Sequence, residues 1–223
     1  MKAMILAAGR GERMLPLTEH TPKPLLCVGG KPLIQYHVEN LVAAGFTELV
    51  INVSWLGDQI EAFFAGRDMG CTISWSREAE PLETAGGIVQ ALPLLGGDRF
   101  AVVNGDIWTD YPLQGLRQAP EGGAHLVLTE NPAQHPAGDF CLQADGMLVP
   151  RDADPAASST YTGLGVYSVS MFAQARPGKQ ALLPFLQAAM AQGRLSGEHY
   201  SGKWFDVGTP DRLAALDASL GIH

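Results

Sequence analysis

Cysteine is scarce in this 223-residue chain, and so are long apolar runs and positive charge. Cys27, Cys71 and Cys141 are odd in number and far apart, with no C-x-x-C or Cys/His ligand spacing. That excludes a disulfide framework and a structural zinc site, and it fits a reducing cytosol. No apolar stretch approaches the roughly 20 residues that span a bilayer. Residues 1–8 are apolar apart from Lys2, but Arg10, Gly11 and Glu12 follow at once, which is not the pattern of a secretory leader. Lys and Arg total 15 against 23 Asp and Glu, a net charge of −8. A generic nucleic-acid binder carries the opposite balance. These absences predict a cytoplasmic protein with neither a nucleic-acid nor a membrane partner.

What is present is a globular chain. A hydrophobic content of 46% with 17% charged residues supplies enough apolar material for one full core. Its charge is uneven: residues 1–31 hold Lys2, Arg10, Arg13, Lys23 and Lys31 against only Glu12 and Glu19. A cationic island in an acidic protein suits an anionic small molecule.

The first half alternates strand and helix signals. Ala3-Met4-Ile5-Leu6-Ala7 reads as a buried strand that ends at Gly9. Lys31-Pro32-Leu33 opens a helix that stops at Gly45. Strands over 49–53, 72–75 and 100–103 alternate with helices over 58–65 and 84–92. This rhythm predicts an α/β, Rossmann-like domain: a mostly parallel central sheet flanked by helices. In the second half, strand-like segments at 124–129, 140–143, 147–149 and 161–169 follow with little helix between them. They predict a smaller mixed or antiparallel part, completed by helices over 181–191 and 211–220 and a brief strand at Trp204-Phe205. Residues 152–160 read as a surface insert, and no linker divides the chain.

The sharpest local signal is Gly9-Arg10-Gly11-Glu12-Arg13, directly after the first strand. Glycines let backbone N–H groups close around a phosphate, and Arg13 adds a forked cation. Met14 stands where a dinucleotide fingerprint needs its third glycine, and no Gly-Lys-Ser/Thr follows as in a Walker loop. Further on, Pro22 and Pro24 stiffen the chain on both sides of Lys23. Two aspartates complete the set. Asp106 follows the strand 100–103 in Asn104-Gly105-Asp106, and Asp206 sits in Trp204-Phe205-Asp206-Val207-Gly208-Thr209-Pro210. A strand's carboxyl end is where ligands sit in an open α/β sheet. Thr209 and Pro210 suffice to start the following helix, so Asp206 is free for other work. Two carboxylates meeting at one crevice call for a cation, and next to phosphate that cation is Mg²⁺.

These segments, in this order, together with Val28-Gly29-Gly30-Lys31-Pro32-Leu33, Glu83-Thr84-Ala85-Gly86-Gly87 and Thr162-Gly163-Leu164-Gly165-Val166-Tyr167, resemble the sugar-1-phosphate nucleotidylyltransferases. The resemblance covers essentially the whole chain. It implies one nucleotidyltransferase domain over 1–223, with a nucleotide-binding half at 1–110, a sugar-binding half at 111–223 and no separate C-terminal domain. It implies UTP and a sugar-1-phosphate as small-molecule substrates, Mg²⁺ as cofactor, and a monomer or small homo-oligomer. Arg13, Lys23, Asp106 and Asp206 are implied as the catalytic set, with Asp106 and Asp206 holding the metal. Ala8, Gly9, Gly11, Glu12, Arg13, Lys23, Glu80, Ala85, Gly86 and Gly105 are implied to bind the nucleotide. Glu83, Asn104, Gly138, Asp139, Arg151, Thr162 and Gly163 are implied to face the sugar phosphate. Where many relatives carry Glu-Lys-Pro ahead of the Thr-Gly motif, this chain has Val149-Pro150-Arg151. Loss of that acidic contact suits a sugar that itself bears a carboxylate.

The implied reaction needs no general base, because a sugar phosphate is mostly dianionic at neutral pH. None of the six histidines lies in a motif suited to be one. GTP with mannose-1-phosphate, or UTP or dTTP with glucose-1-phosphate, is the rival within this chemistry. A non-catalytic sensor subunit is the rival outside it, although such a subunit has no need to keep all four charged groups.

Overall fold

A computed structural model describes residues 1–221. The strands are β1 (Ala3–Leu6), β2 (Cys27–Val28), β3 (Lys31–Pro32), β4 (Glu48–Val53), β5 (Thr72–Arg77), β6 (Arg99–Asn104), β7 (Ile107–Thr109), β8 (Ala124–Thr129), β9 (Phe140–Leu142), β10 (Leu148–Pro150), β11 (Ser158–Ser168), β12 (Leu195–His199) and β13 (Trp204–Asp206). The α-helices are α1 (Leu33–Ala43), α2 (Gly57–Phe64), α3 (Glu83–Leu95), α4 (Leu183–Ala191) and α5 (Pro210–Leu220).

The main sheet runs β10-β9-β11-β6-β1-β4-β5, with β8 paired to β11 and β12 to β8. β6, β1, β4 and β5 are parallel, with α1 linking β1 to β4, α2 linking β4 to β5 and α3 linking β5 to β6. β11 returns antiparallel to β6, and β8, β9 and β10 continue antiparallel pairing. The expected parallel half and mixed half are both present.

Side-chain alternation divides the core into two layers, as the two-residue period of a strand requires. Ala3, Ile5, Leu49, Ile51, Ala101 and Val103 face α1 and α2, where Ile34, Val38, Leu41, Ile60 and Phe64 are buried. Met4, Val50, Phe100 and Val102 face the other way, onto Ala85, Ile88 and Leu95 of α3 and Leu186 of α4. A third cluster joins Met14, Leu26, Val28 and Leu33 to Val207 and Leu216. It clamps the glycine-rich loop of the opening segment to the last helix.

Two features depart from the sequence reading. Residues 152–160 are not wholly a surface insert: short 3₁₀ turns occupy 151–157, but β11 begins at Ser158, and Ser158 and Thr160 are buried. β12 was not anticipated, because Leu195-Ser196-Gly197-Glu198-His199 offers a single large apolar residue for pattern reading. At Asn104-Gly105 the structure agrees with the reading of a strand end rather than a hairpin turn. β7 leaves it to pair antiparallel with β13, more than ninety residues away, in register Asp206↔Ile107.

Candidate active site

The glycine-rich loop turns on Gly11, whose φ is +66°. Its carbonyl is held by the Thr18 hydroxyl at 2.8 Å, and a β-carbon there would lie 2.9 Å from Thr18 Cγ2. At Gly9 the reverse holds: a β-carbon would meet nothing within 4 Å. Gly11 is therefore required by the turn, while Gly9 leaves open space beside the backbone. Lys23 opens a 3₁₀ turn between Pro22 and Pro24, and it is buried. Its ammonium donates to Asp106 Oδ2 at 2.8 Å. The stiffening expected of the two prolines thus fixes a lysine that is already aimed.

Asp106 and Asp206 come together through the β7–β13 pairing. Asp206 is opposite Ile107, and the Val207 N–H donates to the Asp106 carbonyl at 2.9 Å. A β-carbon at Gly208 would lie 3.2 Å from Asp206 Oδ1 and 3.4 Å from Arg13 Nη1. The opening loop and the second aspartate therefore meet at one point. Each carboxylate has a cation from the protein: Lys23 on Asp106 and Arg212 on Asp206. Beneath Asp106 lies His37, with 4% of its surface exposed and Nε2 unpartnered. Burial pushes its pKa down to about 4, against the opposing pull of Asp106, so it stays neutral.

Three adjoining cavities converge on Asp106, which lines all of them. The first lies over the ends of β1 and β6 and is lined by Ala8, Gly9, Lys23, Asn52, Glu78, Glu83 and Gly105, among others. The second, of about 780 Å³, is lined by residues 9–14 with Lys23, Glu80, Lys179 and Gly208. Its cations Arg10, Arg13, Lys23 and Lys179 outnumber its acids Glu12, Glu80 and Asp106, a surplus that suits a polyphosphate. The third is lined by Asn104, Gln134, His135, Asp139, Thr160, Thr162, Gly163, Trp204 and Asp206. Gly163, at φ +84°, leaves room for the Asn104 side chain, which a β-carbon would strike at 2.7 Å.

Most of the implied residues thus surround one cleft; Ala85, Gly86, Gly138 and Arg151 do not line it. Ala85 and Gly86 are in the first turn of α3, where both N–H groups are taken by the Gln180 carbonyl at 3.0 and 3.1 Å. They pack beneath the 178–180 segment. Gly138 turns at φ +60° against Asn131 and Ser158, and Arg151 reaches its carbonyl at 3.5 Å. Both brace a loop beside the cavity. Trp108, two residues after Asp106, packs edge-on against Tyr36 and Phe205 and does not line the cavity. Trp204 holds the wall position, its indole N–H donating to Thr162 O at 2.8 Å.

Sequence reading missed Asn52, Glu78, His135, Lys179 and Arg212. Asn52 is a bracket: its Oδ1 accepts the Ala7 N–H at 2.8 Å, and its Nδ2 donates to Glu78 Oε1 at 2.7 Å. Burial raises the pKa of Glu78, opposed by Asn52 and the Leu82 N–H. A polar residue inside the apolar run Leu49-Val50-Ile51-Asn52-Val53 was the available signal. Lys179, Arg212 and His135 carried none.

Comparison with known proteins defines the class. The nucleotidyl transferase family model matches residues 2–221, and the chain belongs to that family. It is 52% identical to the N-acetylmuramate alpha-1-phosphate uridylyltransferase of Neisseria meningitidis serogroup B, over 99% of each chain. It is 37% identical to the Caulobacter vibrioides protein of the same name, over 98% of this chain and 96% of that one. The mannose-1-phosphate guanylyltransferase catalytic subunit beta of Xenopus tropicalis is 31% identical over 94% of this chain, which spans 62% of its length. A crystal structure from Bacillus anthracis, described as a glucose-1-phosphate thymidylyltransferase with sucrose bound, shares the fold. Its TM-score is 0.85 at 24% identity, over 98% of this chain and 94% of that one.

Proposed function

We propose that the protein transfers the uridylyl group of UTP to N-acetylmuramate α-1-phosphate, forming the UDP-sugar and pyrophosphate. One observation carries this reading beside the 52% relative: Arg13, Lys23, Asp106 and Asp206, drawn from four separate segments, border one cleft with a cationic and an acidic end.

In this reading the two halves of the domain divide the work. The 1–110 half supplies the cavity over β1 and β6 for the nucleoside and most of the phosphate cavity. The 111–223 half supplies the sugar cavity, and also Lys179 and Gly208 on the phosphate side. The sugar phosphate oxygen attacks the α-phosphorus of UTP. A new P–O bond forms, the bond from the α-phosphorus to the bridging oxygen breaks, and pyrophosphate leaves. Lys23, with little conformational freedom left to lose, spans the α-phosphate and the incoming phosphate. Arg13 and the open N–H groups beside Gly9 hold the phosphates that depart. No proton has to be removed from the nucleophile, so the neutrality of His37 is no obstacle.

The donor set fits Mg²⁺. Asp106 and Asp206 offer hard oxygens from adjacent strand ends, and among the described residues no group of three His, Cys, Asp or Glu exists to enclose an ion. Mg²⁺ typically takes one or two carboxylates and completes its shell with phosphate oxygens and water. The bound ion would neutralise charge on the α-phosphate. Lys23 and Arg212 offset the charge of these two acids within the protein. We place the protein in the cytosol, acting on small molecules as a monomer or small homo-oligomer. No helix among the described residues is long and apolar enough to cross a membrane.

The test is pyrophosphate release across a panel of UTP, GTP, dTTP, CTP and ATP with several sugar-1-phosphates. The highest kcat/KM is expected for UTP with N-acetylmuramate α-1-phosphate. UTP being turned over no faster than GTP with every sugar would overturn the reading.

A further inference from the structure

The sugar cavity poses a charge problem. Its charged walls are Asp106, Asp139 and Asp206, and no lysine or arginine is among its lining residues. The proposed sugar carries two anionic groups, a phosphate and, on the lactyl ether, a carboxylate. The phosphate faces Lys23 and Arg13 across Asp106. The carboxylate, carried on O3 away from the anomeric phosphate, needs a donor of its own, since a buried anion left unpaired is costly.

Of the residues lining the cavity, His135 is the one imidazole. Its Nε2 is 3.0 Å from Asp139 Oδ1, its side chain is 41% exposed, and among the described residues Nδ1 has no hydrogen-bond partner. With one ring nitrogen held by Asp139, the other is left to serve a ligand in the cavity that His135 lines. The supporting loop is fixed without any ligand. Asn131 Nδ2 donates to Ser158 O at 3.0 Å, the Ser158 hydroxyl donates to Ala137 O at 2.9 Å, and Arg151 reaches Gly138 O. The second oxygen of Asp139 accepts the Tyr161 N–H at 2.8 Å. A carboxylate locked in this way orients the imidazole rather than the substrate.

We infer that His135 is the specificity-determining residue that recognises the carboxylate of an acidic sugar-1-phosphate, with Asp139 as its positioning residue. The inference rests on the acidic-sugar reading above. It also gives Arg151 a function outside the cavity, as a brace for the loop that carries His135.

Two substrates separate the possibilities: N-acetylmuramate α-1-phosphate and N-acetylglucosamine α-1-phosphate, which differ only by the lactyl ether. The readout is the ratio of their kcat/KM values with UTP. In wild type the acidic sugar is preferred. His135→Gln is expected to reduce that preference about tenfold, through KM for the acidic sugar rather than kcat, as loss of one charge-assisted hydrogen bond implies. His135→Arg, which supplies a permanently charged donor, is expected to recover most of the preference, and Asp139→Asn to lose part of it. Equal losses on both sugars, or no loss on the acidic one, would overturn the inference while wild-type preference for the acidic sugar upheld the function. A wild type that shows no preference for the acidic sugar would overturn the proposed substrate and this inference with it.

Discussion

The phosphate cavity and the sugar cavity share Asp106, yet they are built by opposite means. The phosphate side is backbone and cation: a turn at Gly11, open space at Gly9, and Arg13, Lys23 and Lys179 around it. The sugar side is a ring of side chains on loops and strand ends, from Asn104 through His135, Asp139 and Thr162 to Trp204, with acids as its charged walls. A triphosphate is recognised by features common to every such substrate, so its site needs glycines and cations at fixed offsets. A sugar is recognised by what distinguishes it from other sugars, so its site varies residue by residue. The two sides should answer to mutation differently.

The largest difference is expected at Lys23. Lys23→Ala removes the buried cation common to all substrates, and kcat/KM should fall about 10²–10³-fold with every sugar. A loss confined to one sugar, in the same pyrophosphate assay, would break the division of labour. Next is Asn52→Leu, which leaves the Ala7 N–H and the buried Glu78 carboxylate without their partner. Denaturant unfolding should show a loss of roughly 2–4 kcal/mol, with the sugar preference unmoved. Gly11→Val forces a side chain into a left-handed conformation at about 1–2 kcal/mol and against Thr18. It should lower the denaturation midpoint and raise KM for UTP. The smallest effect belongs to Trp204→Phe, which loses the bond to Thr162 O. At a net worth of about 0.5–1.5 kcal/mol, KM for the sugar should rise less than about tenfold, and KM for UTP should rise less than that.

The same contrast explains what the sequence disclosed. β1, β4 and β6 were legible because continuous apolar runs of parallel strands have few alternative uses. The Gly9–Arg13 loop, Lys23 between prolines, and the two aspartates were legible because each breaks a local rule at the end of a strand. Leu195–His199 was hidden because an edge strand with glycine and polar residues has no period to detect. His135 was hidden because its meaning depends on Asp139 and on the distant partners Ser158 and Tyr161. Trp108 and Trp204 could not be told apart in the sequence, since each sits beside an aspartate. The β7–β13 pairing turns one toward packing and the other toward the cavity. Ala85 and Gly86 resembled a nucleotide contact, yet the chain at Gln180 occupies their N–H groups.

The central claim is that two carboxylates a hundred residues apart act as one metal-binding pair beside the opening glycine turn. A magnesium titration of pyrophosphate release from UTP and N-acetylmuramate α-1-phosphate, comparing wild type with Asp106→Asn and Asp206→Asn, tests it most directly. Either substitution is expected to abolish most magnesium-dependent turnover, by about 10²-fold or more, while the circular dichroism spectrum and unfolding midpoint remain those of a folded protein. Variants that respond to magnesium with the rate and half-saturation of wild type would contradict it.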